Sequence, residues 1–277
     1  MSEIPTKFKR QIRRYEPVET EGLTLYPILV DEYEDFLIAR SAIECMQQAL
    51  PLAMVNMPIL SAYHALDKQS IRDEKIPTGL MARALLFLAL SLRIGQGLPA
   101  EKRIAMFHTR ADEKGRLKSV VFTPDGEEIC EITPAQFQRL RPILAAQNGI
   151  EIPPEDANPE LVWTEEELRR QKAPDLDVNL ESLIHSVATI CGLEEKDLYD
   201  WPIAKLLDRQ RALHRAFDYL ICGIGESQGT KWKKGNPVPH PFFDRKKDGS
   251  AAKVALSDFA GGAALNAVRD GIESQRQ

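Results

Sequence analysis

A long amphipathic pattern between Ile203 and Ile224 limits this chain to folds built mainly from helices. Apolar residues recur there three or four positions apart, which is the spacing of one face of an α-helix. About 24 residues at 1.5 Å rise per residue make a helix of roughly 36 Å, long enough to brace a whole domain. We therefore expect the apolar stripe of this helix to pack on the rest of the chain. The stripe consists of Ile203, Leu206, Leu207, Leu213, Phe217, Leu220, Ile221 and Ile224.

Three further helices are predicted in the first hundred residues. Asp31 and Glu34 have the spacing of a capping box, which predicts a helix start near Asp31. A second helix is expected over about 52–66, interrupted near Pro58. The apolar run 80–94 is about fifteen residues long and contains two arginines, whereas a membrane-spanning helix needs about twenty residues. The run therefore predicts a buried core helix, and we expect no membrane contact.

The middle of the chain changes to a strand pattern between residues 103 and 132. We predict strands over 103–108, 117–122 and 128–132, because each is a short apolar or alternating run. Pro124 and the Asp-Gly pair after it form a turn signal, since proline presets the backbone angle and glycine accepts the tight one. The sequence therefore predicts a small antiparallel hairpin or meander, which must pack on the neighbouring helices.

A strong helix signal follows this strand region. Thr133 can cap the helix, Pro134 suits its first position, and Gln136 completes a capping box. The pair Asn148-Gly149 predicts the helix end. A capped helix is likewise predicted over 179–191, ended by Gly192.

These patterns predict a predominantly α-helical α+β protein, made of helical units with a small antiparallel β insert. Its regions are a basic N-terminal arm (1–21), a helical unit (22–149) with the β insert at 103–132, an acidic proline-rich linker with a short helix from about Pro159 to Lys172 (150–178), a C-terminal helical unit with an aromatic loop (179–245), and a flexible tail (246–277).

Composition narrows the functional classes. With 36 basic and 41 acidic residues the net charge is -5, which suits a soluble protein and argues against a duplex-DNA binder. The four cysteines form no C-x-x-C pair, so we expect buried free thiols in a reducing cytoplasm. The five histidines lie far apart in the sequence, and neither a metalloprotease motif nor a nucleotide-binding loop is present. We therefore expect no enzymatic activity, no metal site and no cofactor.

The segment from Asp200 to Arg245 is the most specialised part of the sequence, and it ends in an aromatic loop from Gly225 to Arg245. Its basic residues alternate with aromatic ones, and three interpretations stay open. The aromatics could pack on the preceding helix with the lysines in solvent, they could anchor a protein partner, or the loop could bind single-stranded nucleic acid by stacking and charge. The candidate partner-binding residues are Trp232, Lys233, Lys234, Phe242, Phe243 and Arg245.

Four stretches of the chain resemble a known family. They are GLTLYPI with the YEDFL that follows it, EITPAQFQRLRPILAAQNGIEIP, DLYDWPIAKLLDRQRALHRA and GNPVPHPFFDR, and the likeness covers most of residues 15–245. Together they are similar to tail-module proteins of tailed phages and prophages of Gram-positive hosts, of the kind assigned as tail assembly chaperones. GNPVPHPFFD is the most distinctive stretch.

The resemblance implies a non-enzymatic assembly factor. Proteins of this type bind the tape-measure protein and help to recruit tail-tube subunits around it, in the cytoplasm of the host cell. A role in virion morphogenesis needs binding surfaces rather than catalytic residues. The alternative is a nucleic-acid-binding phage or host regulator that uses the basic and aromatic loop 230–247. Neither interpretation decides whether the protein forms an oligomer.

Overall fold

The computed structural model describes residues 4–70, 79–124, 128–153, 158–172, 179–231 and 236–238. Within them the chain is mostly helical and holds two small antiparallel sheets, which confirms the predicted fold class. The chain divides into two units, Met1–Arg211 and Ala212–Gln277. The helices of the described ranges are α1 (Thr6–Arg13), α2 (Tyr33–Glu44), α3 (Ile59–Ser70), α4 (Leu80–Ser91), α5 (Ala100–Ala105), α6 (Pro134–Gln147), α7 (Pro159–Lys172), α8 (Leu180–Cys191), α9 (Glu195–Tyr199) and α10 (Ile203–Ser227).

Helix α4 is the centre of the first unit. It is apolar on every side, and a helix of that kind is stable only when it is covered all round. Every residue from Ala84 to Ser91 is buried, and α2, α3 and α5 pack against the helix. The rings of Phe36 and Phe87 lie 6.1 Å apart in this core. The predicted core helix is therefore confirmed. None of the helices in the described ranges combines the length and the apolar content that a membrane span needs.

Helix α6 begins and ends where the sequence predicted. The Thr133 hydroxyl accepts a hydrogen bond from the Gln136 backbone N–H at 3.2 Å, and the Gln136 side chain accepts one from the Thr133 N–H at 3.0 Å. The helix ends at Asn148, and Gly149 takes a positive φ of 68°. The buried Asn148 side chain accepts a hydrogen bond from Ile28 N–H at 2.8 Å, so the end of α6 is joined to the segment that precedes α2.

The β insert is a three-stranded antiparallel sheet of β3 (Phe107–Ala111), β4 (Leu117–Phe122) and β5 (Cys130–Ile132), in that order. Another sheet pairs β1 (Val18–Thr20) with β2 (Leu23–Leu25). The prediction that a strand starts at Arg103 is wrong, because Arg103 lies in α5. Its guanidinium donates a hydrogen bond to the Glu32 carboxylate, and this long-range contact favours the helix over the predicted strand. Turn residues 125–127 lie outside the described residues.

Two predicted helix starts differ from the structure. Residues Val30–Glu32 form a 3-10 turn, and α2 begins at Tyr33 without a side-chain cap, so the predicted Asp31 capping box is wrong. The helix expected from residue 52 begins only at Ile59, after turns through 51–57. The Ile59 N–H donates to the Gln138 side chain at 3.2 Å, so a contact with α6 stabilises this helix start.

The N-terminal region and the linker are partly helical. Residues 1–21, predicted as a basic arm, contain α1 with Phe8 buried, and α1 packs on α6. Helix α7 has the bounds predicted for the linker helix. Asn179 and Gly192 cap α8 as the sequence indicated. The tail 246–277 lies outside the described residues.

Candidate functional site

The residues proposed from sequence for partner binding all lie outside the described part of the chain. Their role therefore stays a prediction. They are Trp232, Lys233, Lys234, Phe242, Phe243 and Arg245.

A short described piece of the same loop contacts α10 within the second unit. The Asn236 side-chain amide donates to the Tyr219 carbonyl at 3.1 Å, and the Val238 N–H donates to the Asn236 side-chain oxygen at 2.9 Å. The chain therefore returns to α10 after the helix ends. This contact involves none of the aromatic residues of the loop, so the three interpretations stay open.

The apolar stripe of α10 is buried only at its start. Ile203, Ala204 and Leu206 are buried, but Phe217 is 46 % exposed and Leu220 is 58 % exposed. Ile221 and Ile224 are also more than half exposed. The second half of the helix therefore presents an apolar face.

The first unit contains an apolar cavity of about 600 Å³ beside α6. Its wall is built from one face of α6, the turn after α2, the extended segment that follows α6, and a residue from the N-terminus. Mostly apolar side chains line the cavity, with glutamines and arginines among them. The lining residues are Ile4, Met46, Gln47, Gln48, Gln138, Arg139, Arg141, Pro142, Ala145, Ala146, Ile150, Glu151, Ile152 and Pro153.

A second cavity of about 530 Å³ adjoins the first and shares Met46, Glu151 and Pro153 with it. The end of α2, the start of α4 and α7 supply its other walls, among them Trp163, which is 53 % exposed. We call the two adjoining cavities the α6 groove. A groove with an apolar lining, polar groups among the lining residues and an exposed aromatic residue can bind apolar side chains of a ligand or partner.

Hydrogen bonds hold three polar side chains in the walls of the α6 groove. The Gln47 side chain donates to the carbonyls of Val55 and Met57, each at 2.7 Å, and accepts from Gln138 at 3.4 Å. Buried Arg141 donates from Nε to the Ile43 carbonyl at 2.9 Å and from a terminal nitrogen to the Cys45 carbonyl. Because the lining side chains are held by such bonds, the groove is already formed without a ligand.

An exposed ion pair lies beside the groove. Arg139 and Glu21 make two hydrogen bonds of 2.9 Å each. This bidentate contact lowers the pKa of the Glu21 carboxyl. It ties α6 to the turn between β1 and β2, so it holds one wall in place.

The described titratable groups form no obvious catalytic set. The four cysteines are free and half-buried rather than fully buried, and burial raises the pKa of the Cys130 thiol. His185 lies 2.7 Å from a Glu195 carboxylate oxygen, but both side chains are largely exposed. In the part of the chain that the structure describes, no three His, Cys, Asp or Glu side chains could together hold a metal ion.

The N-terminal region also contacts α10 inside the first unit. The Tyr15 hydroxyl donates to the Asp208 carboxylate at 2.8 Å, and Tyr15 itself has a positive φ of 57°. Partial burial, followed by this hydrogen bond, raises the pKa of Tyr15 to about 12. The contact is therefore present while the phenol keeps its proton.

A pH dependence follows from the raised pKa of Tyr15. Up to the ordinary tyrosine pKa of 10.0 both folded and unfolded chains hold the proton, so the stabilisation is complete. Between pH 10.0 and about 12 the unfolded chain releases its proton first, and the free energy of unfolding falls. We expect urea unfolding to show a smaller loss over this range for Tyr15→Phe than for the unmodified chain. Equal losses in both proteins would contradict this role of Tyr15.

The sequence missed the α6 groove because its walls come from segments far apart in the chain. No local pattern marks a recess. The stretch EITPAQFQRLRPILAAQNGIEIP, which carries part of the resemblance, supplies the α6 side of the groove and the segment after it. Comparisons with protein-family models, with curated proteins and with solved structures each gave no match.

Proposed function

We propose that this chain is a non-enzymatic phage tail assembly factor, of the chaperone-like type, that binds a tape-measure or tail-tube protein in the host cytoplasm. The observation that carries the proposal is the α6 groove, a preformed apolar recess in the first unit. The resemblance of the sequence to tail-module proteins suggests the class of partner.

The lining of the groove suits a polypeptide partner. Apolar side chains such as Met46, Ile150 and Ile152 offer contact area to a partner's aliphatic or aromatic residues. Gln48 and Glu151 can form hydrogen bonds with the partner, which would set its register. Trp163 extends the apolar surface into the adjoining cavity. This combination of apolar anchors with hydrogen-bonding groups is typical of protein-binding grooves.

Co-expression tests the proposal. The full chain should co-purify with the tape-measure protein or the tail-tube protein of the same phage, with the affinity tag on either partner. Loss of both complexes in both tag orientations would contradict the proposed function.

A control separates this function from nucleic-acid binding through the loop 230–247. The proposal predicts that the chain does not shift single-stranded DNA in a gel, even at low salt. A salt-dependent shift that Trp232→Ala abolishes would instead favour the regulator alternative.

A further inference from the structure

The exposed half of α10 has the spacing of a coiled-coil seam. Leu213, Phe217, Leu220 and Ile224 follow one another at intervals of four, three and four residues. This is the spacing of the a and d positions of a heptad repeat. The last three are about half exposed, as given above, so the described residues leave this face uncovered. The same spacing leads to a polar residue at each end of the seam, Gln210 before Leu213 and Ser227 after Ile224.

Packing among the described residues does not explain a glycine inside this helix. Gly223 lies in the helix interior, where glycine is less favourable than alanine by about 1 kcal/mol. A Cβ atom built on Gly223 meets nothing within 4 Å. Ala216, another small residue, precedes it by one heptad on the same flank of the seam. Small residues along a seam allow a second helix to approach closely.

We propose that the partner of this face is a second copy of the same chain, with the two α10 helices antiparallel. When a twofold axis lies between residues 218 and 219, each seam residue of one copy faces a seam residue of the other. Leu213 then meets Ile224 of the partner subunit, and Phe217 meets Leu220 of the partner subunit. Gln210 meets Ser227 of the partner subunit, so polar layers close both ends. On the flank, Ala216 lies beside Gly223 of the partner subunit.

The distribution of charge on α10 favours this antiparallel self-pairing. Basic residues are concentrated in the first half of the helix, which has one acidic residue, Asp208, and the second half holds Asp218 and Glu226. In this register, antiparallel pairing places Arg209 and Arg211 level with the acidic end of the other copy's helix, where Glu226 lies. Exposed Arg209 comes within reach of Glu226 of the partner subunit. Parallel pairing would bring the two basic halves together, which is unfavourable. The basic residues are Lys205, Arg209, Arg211 and Arg215.

The dimer is expected to be weak and reversible. The apolar layers span residues 213–224, so each helix contributes only about 18 Å of seam at 1.5 Å per residue. Stable protein interfaces usually bury about 800 Å² on each partner, and a seam of this length supplies less. The pairing is independent of the proposed function, because the α6 groove contains no residue of this seam.

Sedimentation velocity on the full chain over a range of concentrations tests the pairing. We expect a monomer–dimer equilibrium that Leu220→Glu weakens at least about a hundredfold, because a charge would enter an apolar layer. Gly223→Leu should weaken it at least about tenfold while circular dichroism keeps its helical signal. Cys222→Ser, an uncharged change outside the seam, serves as the control and should change the dimer little. A chain that stays monomeric throughout, or a dimer that ignores both seam variants, would overturn the proposal.

Disulfide trapping distinguishes the two orientations. Phe217→Cys and Leu220→Cys, each in a Cys222→Ser background and carrying different tags, are mixed and oxidised. Antiparallel pairing predicts that the mixed disulfide dominates, whereas parallel pairing would give each variant linked to itself. In addition, Arg209→Glu and Glu226→Arg should each weaken the dimer roughly tenfold, and their combination should restore it. Self-linked products or no rescue would contradict the antiparallel arrangement.

Discussion

Replacing Arg103 with leucine is expected to lower the free energy of unfolding by about 3–5 kcal/mol, because it leaves the Glu32 carboxylate buried without its charge partner. The two side chains are 5 % and 10 % exposed, and an Arg103 terminal nitrogen lies 2.8 Å from a Glu32 oxygen. Arg103 also donates to the Leu98 carbonyl at 2.9 Å. Urea unfolding followed by circular dichroism measures the change.

The double variant Arg103→Leu with Glu32→Leu provides the control for this prediction. Since no buried charge is then left alone, it should regain most of the stability that the single variant loses. Arg139→Ala, which breaks the exposed pair with Glu21, should cost no more than about 1 kcal/mol. If Arg103→Leu were no more damaging than Arg139→Ala, the buried pair would not stabilise the fold as argued.

The second large effect is expected from Phe87→Ala, which should lower the free energy of unfolding by about 3–5 kcal/mol. Phe87 is fully buried in α4 and its ring lies 6.1 Å from that of Phe36. Removing the ring leaves a cavity in the centre of the first unit, where the surrounding helices can collapse only in part. The same urea experiment gives the magnitude.

Phe217→Ala is the matched control for the core prediction. It removes the same side chain from the exposed face of α10, so at low protein concentration it should cost about 1 kcal/mol or less. An equal loss for the two variants would mean that the Phe217 face is covered within the chain. That result would also contradict the availability of this face for a second copy.

Local signals predicted the elements whose ends depend on neighbouring residues in the sequence. Thr133 and Gln136 form the predicted capping box, and Asn179 and Gly192 cap α8, because such caps need only residues within one helical turn. The long apolar run of α4, interrupted only by Arg83, predicted a buried core helix. The class of the fold followed from these elements.

Tertiary contacts explain most of the predictions that failed. Asp31 has the right spacing for a cap, but its neighbour Glu32 turns inward to the Arg103 guanidinium, and a 3-10 turn forms instead. The same contact is made by Arg103 within α5, where the sequence pattern predicts a strand. Periodicity located the stripe of α10, but it cannot say whether another surface covers each part of that stripe.

The candidate site depended even more on long-range structure. Residues 46–48, 138–146 and 150–153 form one groove only after α6 packs on α2. Nothing in their local sequence indicates a recess. The basic and aromatic loop, which the sequence did single out, lies mostly outside the described residues. Its role therefore stays a prediction, and the α6 groove carries the proposed function.

The central claim is that the α6 groove binds the partner, and one titration tests it most directly. Ala146 lines the groove and is half-buried, so Ala146→Trp should fill the recess. Ala105 is exposed on α5 and lines neither cavity of the groove, so Ala105→Trp is the matched control. Calorimetric titration with the co-purifying tape-measure or tail-tube protein should show Kd at least about tenfold weaker for Ala146→Trp and unchanged for Ala105→Trp. Equal affinity of both variants and the unmodified chain would contradict binding in the groove.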